Sequence, residues 1–201
     1  MKKLLARFVC LYLAFASSAN CQSTITFDDL PTGGPTGYIS IPNGYQGFNW
    51  NNFGAQNTTG LPLSGLLNGT VSAPNVAFSF VGSTASFFTA NPFLLVSGYF
   101  TSGARNGMTL EVTGLNGSTP VFDQTFSLDV YGPSFLTFPS SPVTEVDFVT
   151  SGGVFAGTNY VGGGAFMAMD NLTVFPVPEP SAALLCAAGL GALALRRKLW
   201  V

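Results

Sequence analysis

Between residues 22 and 177 of this 201-residue chain there are eight carboxylates, Asp28, Asp29, Glu111, Asp123, Asp129, Glu145, Asp147 and Asp170, and a single cation, Arg105. The chain has no histidine, and its three cysteines, Cys10, Cys21 and Cys186, fall in or beside the terminal segments. Ser-His-Asp and Cys-His nucleophilic chemistry, His or Cys zinc sites and haem ligation therefore lack their residues in the body. Carboxylate chemistry remains: two acids acting on a glycosidic bond, or several oxygens holding a hard cation. For the first, Glu111, Asp123, Asp129, Glu145 and Asp147 are the candidates. Their spacing fixes no separation, so no enzyme is expected. The same excess of negative charge repels phosphate backbones, which excludes nucleic acid as a partner and disfavours anionic lipid headgroups.

The cation-binding chemistry has a spatial argument. Side chains alternate across a strand, so in "STITFDD" Ile25 and Phe27 facing the core carry Asp29 to the same side. In "AFMAMDNLTV", Leu172 and Val174 do the same for Asp170. An unpaired buried carboxylate is costly, and one Arg cannot compensate two. Two arrangements relieve the conflict. Either a structural calcium is held by Asp29 and Asp170 with Asp28 and backbone carbonyls, or the aspartates sit at strand ends and accept water or turn N–H groups.

A second candidate constellation is "GYQGFNWNNF", which gathers Tyr45, Phe48, Trp50 and Phe53 with Asn49, Asn51 and Asn52. Aromatic faces beside amides suit a sugar, with Tyr45 and Trp50 as glycan-binding residues. Phe48 and Trp50 also alternate along an expected strand, which suits core packing instead. "SGGVFAGTNYVGGGAF" has neither a following helix pattern nor a nearby Lys, and reads as a flexible loop rather than a phosphate cradle. The sequons at Asn57, Asn68, Asn116 and Asn171 would matter only in a eukaryotic secretory route.

The elements that must position these residues are strands. Short β-rich runs, "STITFDDL", "YQGFNW", "NVAFSF", "ASFF", "FLLVSGYFT", "MTLEVTG", "PVFDQTFSL", "FLTF", "VTEVDFVT" and "AFMAMDNLTVF", are separated by turn formers that include Asn43-Gly44, Asn68-Gly69, Asn106-Gly107 and Asn116-Gly117. Few residues favour helix. The pattern predicts an all-β body over residues 22–175, an antiparallel β-sandwich or jelly roll.

The two ends differ from the body. "MKKLLARFVCLYLAFASSANCQS" has a cationic start, an apolar run from Phe8 to Ala16 and small residues after it, and reads as a signal peptide over residues 1–21. Ser17 and Ala19 suit cleavage after Ala19, and Asn20 does not suit a lipidated Cys21. In the tail, Ser181 to Leu195 would be about 22 Å long as a helix, against a hydrocarbon core of roughly 30 Å. Arg196, Arg197 and Lys198 would hold its far end at the cytoplasmic face, with the body outside. So short a span suits a temporary hold before processing.

"VPEPSAALLCAAGLGALALRRK" resembles the PEP-CTERM sorting signal of Gram-negative bacteria: Pro178, Glu179 and Pro180, then a short membrane helix, then the basic cluster Arg196, Arg197 and Lys198. Cys186 inside the helix, and Leu199, Trp200 and Val201 after the cations, depart from many members without removing a part. The resemblance implies a sorting signal over residues 176–201, processing by an exosortase, and a host that makes extracellular polysaccharide. "ITFDDLP", "IPNGYQGFNWNNF", "APNVAFSF" and "MAMDNLTV" resemble pieces of an uncharacterised secreted β-domain, which implies a lectin-like or carbohydrate-binding-module-like jelly roll. That likeness also implies an adhesive or glycan-associated role, and a structural calcium between the first and last strands. Taken together, the expectation is a non-catalytic envelope or extracellular-matrix protein, exported through the inner membrane, with the secretion machinery, exosortase and polysaccharide as its partners.

Overall fold

Phenylalanine, with 19 copies, is the residue around which the strands are arranged. The computed structural model describes residues 22–160 and 162–177, so the expected signal peptide and nearly all of the sorting tail lie outside the described residues. In chain order the strands are β1 (Ser23–Ile25), β2 (Tyr38–Ser40), β3 (Asn49–Asn51), β4 (Phe53–Asn57), β5 (Asn75–Ser79), β6 (Ala85–Ser102), β7 (Arg105–Asn116), β8 (Thr119–Leu128), β9 (Ser134–Thr137), β10 (Val143–Phe155) and β11 (Met167–Pro176). Among the described residues the helical pieces are a 3-10 turn at Tyr45–Gly47 and the single-turn helix α1 (Gly65–Asn68).

Strand β6 organises the whole. Its first part, Ala85–Phe88, runs between β3 and β10. Its later part, from Phe93 to Ser102, runs against β11, with β9 on its other edge. The passage between them is Thr89-Ala90-Asn91-Pro92, and Pro92, which has no N–H to give a ladder, suits that irregular point. One layer is therefore β3, β6, β10, β7 and β8. The other is β2, β4, β5, β11, β6 and β9, with β1 beside β11. The pairings are antiparallel, and the result is the antiparallel β-sandwich expected from the sequence.

Alternation then decides what the layers bury. Leu110, Val112, Phe87 and Phe148 from the first layer meet Phe53, Ala55, Phe100 and Met169 from the second, all within one core cluster. The Phe148 ring stacks near Phe87 at 5.9 Å and Phe100 at 6.0 Å, and takes Phe53 edge-on at 5.8 Å. Each such ring contributes roughly 2–3 kcal/mol of burial. The turns follow the sequence with one correction. Gly44, Gly107 and Gly117 adopt positive φ, whereas Gly69 has φ −83° and ends α1.

Helix α1 lies on the outer face of the second layer. Ser64 caps it, its side chain accepting the Leu67 N–H at 3.2 Å. A Cβ on Gly65 would collide with the backbone oxygen of Ser102, which cannot swing aside. Gly65→Ala should therefore lift α1 off β6 and cost about 1–3 kcal/mol, the usual range for overpacking. The check is the urea midpoint, which should fall with an unchanged slope.

Candidate functional site

Asp170 is fully buried, at 0 % exposure. Its Oδ2 accepts the N–H groups of Val71 (2.7 Å) and Ser72 (2.8 Å), and its Oδ1 accepts the Asn171 N–H (2.7 Å) and the Ser72 hydroxyl (3.1 Å). Burial raises its pKa, and the four hydrogen bonds act in the opposite direction. Strand alternation anticipates the burial, but not the side. Asn171 has φ 48°, and the β11–β6 register slips by one residue between Asp170 and Thr173. This bulge reverses the phase of alternation. Leu172 and Val174 join the core with Met167 and Met169, while Asp170 faces the other side of the sheet, under the segment that follows α1.

The remaining expected ligands go elsewhere. Strand β1 stops at Ile25, and Phe27 turns at φ 63°, so Asp29 does not share the inward face of Ile25 and Phe27 and is exposed. Its Oδ1 accepts the Tyr45 hydroxyl at 2.6 Å. Asp28 accepts the Asn75 N–H at 3.0 Å. Asn75, buried and unremarked in the sequence, donates its amide to the carbonyls of Phe27 and Leu30 and accepts the Thr32 hydroxyl. Among the described residues no three His, Cys, Asp or Glu side chains gather as metal ligands. Asp28, Asp29 and Asp170 thus do not come together, and the groups converging on Asp170 are N–H and O–H donors, the wrong polarity for a cation's neighbours.

Trp50 takes the core placement rather than the surface one. It is 6 % exposed, its indole N–H donates to the Tyr45 carbonyl at 3.0 Å, and its ring meets Phe27, Phe53, Phe48 and Phe87. It offers no open face to a sugar. Tyr45 is half-buried. Burial pushes its phenol well above the ordinary value, and the hydrogen bond to Asp29 and that carboxylate's charge push it the same way.

On the outer face of the first layer, register sets Asn51, Ser86, Asp147, Thr113 and Asp123 in one row across five strands. Asp147 and Asp123 are two strand spacings apart, roughly 10 Å. The Asp147 pKa is raised by burial and then by Glu145, its neighbour on the same face. Asp129 instead accepts the Gly107 N–H at 2.8 Å, and Glu111 is exposed. Arg105 grips backbone carbonyls, donating to Gly153 at 2.9 Å, Gly152 at 3.2 Å and Gly163 at 3.4 Å. The first part of the glycine-rich segment expected to be a loop is accordingly the end of β10.

Residues 176–198 match the PEP-CTERM protein-sorting motif. The chain carries a PEP-CTERM sorting signal. Pro178, Glu179, Pro180, Arg196, Arg197 and Lys198 all fall within the match. The PEP-CTERM motif implies export, exosortase processing and a C-terminal membrane segment before that processing. No helix among the described residues is long and apolar enough to cross a membrane, and the expected PEP-CTERM span lies outside them. No curated protein matches the sequence. Among solved structures, a DUF4465 family protein from Bacteroides caccae is similar in fold, with a TM-score of 0.53 at 10% identity over 78% of this chain and 100% of that one. TmCBM61, solved in complex with β-1,4-galactotriose, gives a TM-score of 0.34 at 9% identity over 76% of this chain and 94% of its own.

Two predictions follow from the hydrogen bonding of Asp170 and Tyr45. Asp170→Asn turns one acceptor into a donor and orphans two buried donors, for a loss of about 2–4 kcal/mol in denaturant unfolding at pH 7. Since the folded pKa of Asp170 is raised, its contribution to stability grows as pH falls from neutral toward 4. The gap between wild type and Asp170→Asn should widen over that window. Tyr45 also has a raised folded value, so its contribution is intact below about pH 10 and is lost above it, as the unfolded phenol ionises first. Tyr45→Phe should lower stability by about 1 kcal/mol at pH 7 and flatten the alkaline limb of the stability curve.

Proposed function

We propose that this protein is an exosortase substrate whose β-domain serves, without catalysis, as a structural or adhesive component of the cell envelope or extracellular matrix, in association with extracellular polysaccharide. The secretion machinery would carry it through the inner membrane, and the tail would hold it there until processing. The observation that supports this reading is the PEP-CTERM motif at residues 176–198, joined to a sandwich with one cation and eight carboxylates. Such a domain stays hydrated beside anionic surfaces, and it contains no cysteine that depends on the redox state outside the cell. A glycan-binding role is the second reading, favoured by Tyr131 and Tyr160, which pair at one end of the sandwich with Tyr131 67% exposed.

The test is mass spectrometry of the C-terminal peptide from protein recovered in its native host, with membrane and extracellular fractions separated. Extracellular protein should end near Pro180. Protein found only in membranes and ending at Val201 would mean that the tail is a lasting anchor and would overturn the proposal.

A further inference from the structure

Tyr131 is 67% exposed, yet it is held in place. Its hydroxyl accepts a hydrogen bond from Asn106 Nδ2 at 2.8 Å, and Asn106 Oδ1 in turn accepts the Val130 N–H at 3.2 Å. From the opposite side, Asn68 Nδ2 donates to the Val130 carbonyl at 2.7 Å. The Tyr160 ring stands 6.1 Å away at 82°, making a floor and a wall. Antiparallel register brings the start of β7 against the end of β8. Asp129 is thereby bonded to Gly107, the neighbour of Asn106, through Oδ1 only.

An exposed aromatic face that is already oriented loses little conformational freedom on binding. The flat C–H face of a pyranose fits such a ring, and its hydroxyls need acceptors and donors at the rim. Asp129 Oδ2 and the remaining amide hydrogen of Asn106 supply both kinds. Charge narrows the ligand further. The body carries eight carboxylates against one cation, Arg105, so its net negative charge disfavours an acidic sugar.

We infer that Tyr131 and Tyr160, with Asp129 and Asn106, form a binding site for a neutral pyranose unit of a polysaccharide. The inference rests on the glycan-associated reading of the protein and gives it a location. A second aromatic pair, half-buried Tyr99 with exposed Phe135 at 5.0 Å, lies on the adjacent strands β6 and β9. It serves as the control.

The experiment is affinity electrophoresis of the full-length chain in detergent, through gels containing a β-1,4-galactan, a β-glucan, a mannan or polygalacturonate. At least one neutral polysaccharide should retard the protein, and polygalacturonate should not. Tyr131→Ala should weaken the retardation by about tenfold or more, the loss expected of a central aromatic contact. Asp129→Asn should weaken it less, and Tyr99→Ala should leave it unchanged, with each variant's melting temperature confirming that it is folded. Retardation that survives in folded Tyr131→Ala would overturn this site while the glycan reading stands. No retardation in any neutral gel would overturn both the site and the polysaccharide association, leaving exosortase sorting to be judged by the C-terminal mass.

Discussion

A carboxylate with no access to water, in a domain whose one cation, Arg105, is hydrogen-bonded to backbone carbonyls elsewhere, must be satisfied by dipoles. Asp170 meets this constraint with three backbone N–H groups and a hydroxyl, and much of the local architecture follows from it. The bulge at Asn171 turns Asp170 away from the apolar core while keeping Leu172 and Val174 in it. The segment after α1 is drawn down over β11, so that residues 71 and 72 are tied to a strand about a hundred positions later in the chain. A few residues on, Asn75 repeats the device in reverse. There a buried amide fixes the turn after β1, and the Asp28 carboxylate accepts the Asn75 N–H. Hydrogen bonds to side chains thus tie the covering segment to the turn after β1 and to the last strand, in addition to the backbone ladder between β1 and β11.

How much of this was legible depends on which physical signal was at work. Strands with alternating large apolar residues, such as β7 with Met108, Leu110 and Val112, show plainly in the sequence. "ASFF" and "FLLVSGYFT" read as two strands but form the single strand β6, because the Pro92 interruption is a passage between layers and not a turn. Strand β4, "FGAQN", was invisible. Its residues are buried throughout, but Gly54, Gln56 and Asn57 carry little strand preference, and pairing with β2 and β5 imposes their conformation. The helix α1 is too short for any periodicity to register.

The candidate site divides along the same line. Burial of Asp170 was legible from alternation, yet its direction depends on a bulge that alternation cannot contain. Asp29 failed for a related reason, since Phe27 leaves the strand with a positive φ and ends the alternation two residues early. Asn75 and Ser72 were missed because single polar residues in a Ser-Ala-Pro-Asn segment give no sign of the distant partners they will meet. Tyr131, within "LDVYGPSF", lies between the runs "PVFDQTFSL" and "FLTF" and carries no pattern of its own. Only the register of β7 with β8 sets Asn106 and Asp129 around it.

Across the molecule, polar chemistry is spent on internal fastening: Arg105 on glycine carbonyls, Asp29 on Tyr45, Asp170 on backbone amides. These fastenings belong to a chain whose PEP-CTERM motif implies export. The most direct test of the Asp170 fastening is hydrogen exchange at the Val71 and Ser72 amides, measured in EGTA and again in millimolar calcium. If hydrogen bonds alone satisfy Asp170, both amides will be strongly protected and equally so in the two conditions. Fast exchange in EGTA, with protection appearing only when calcium is added, would contradict this account and mean that a cation completes the site.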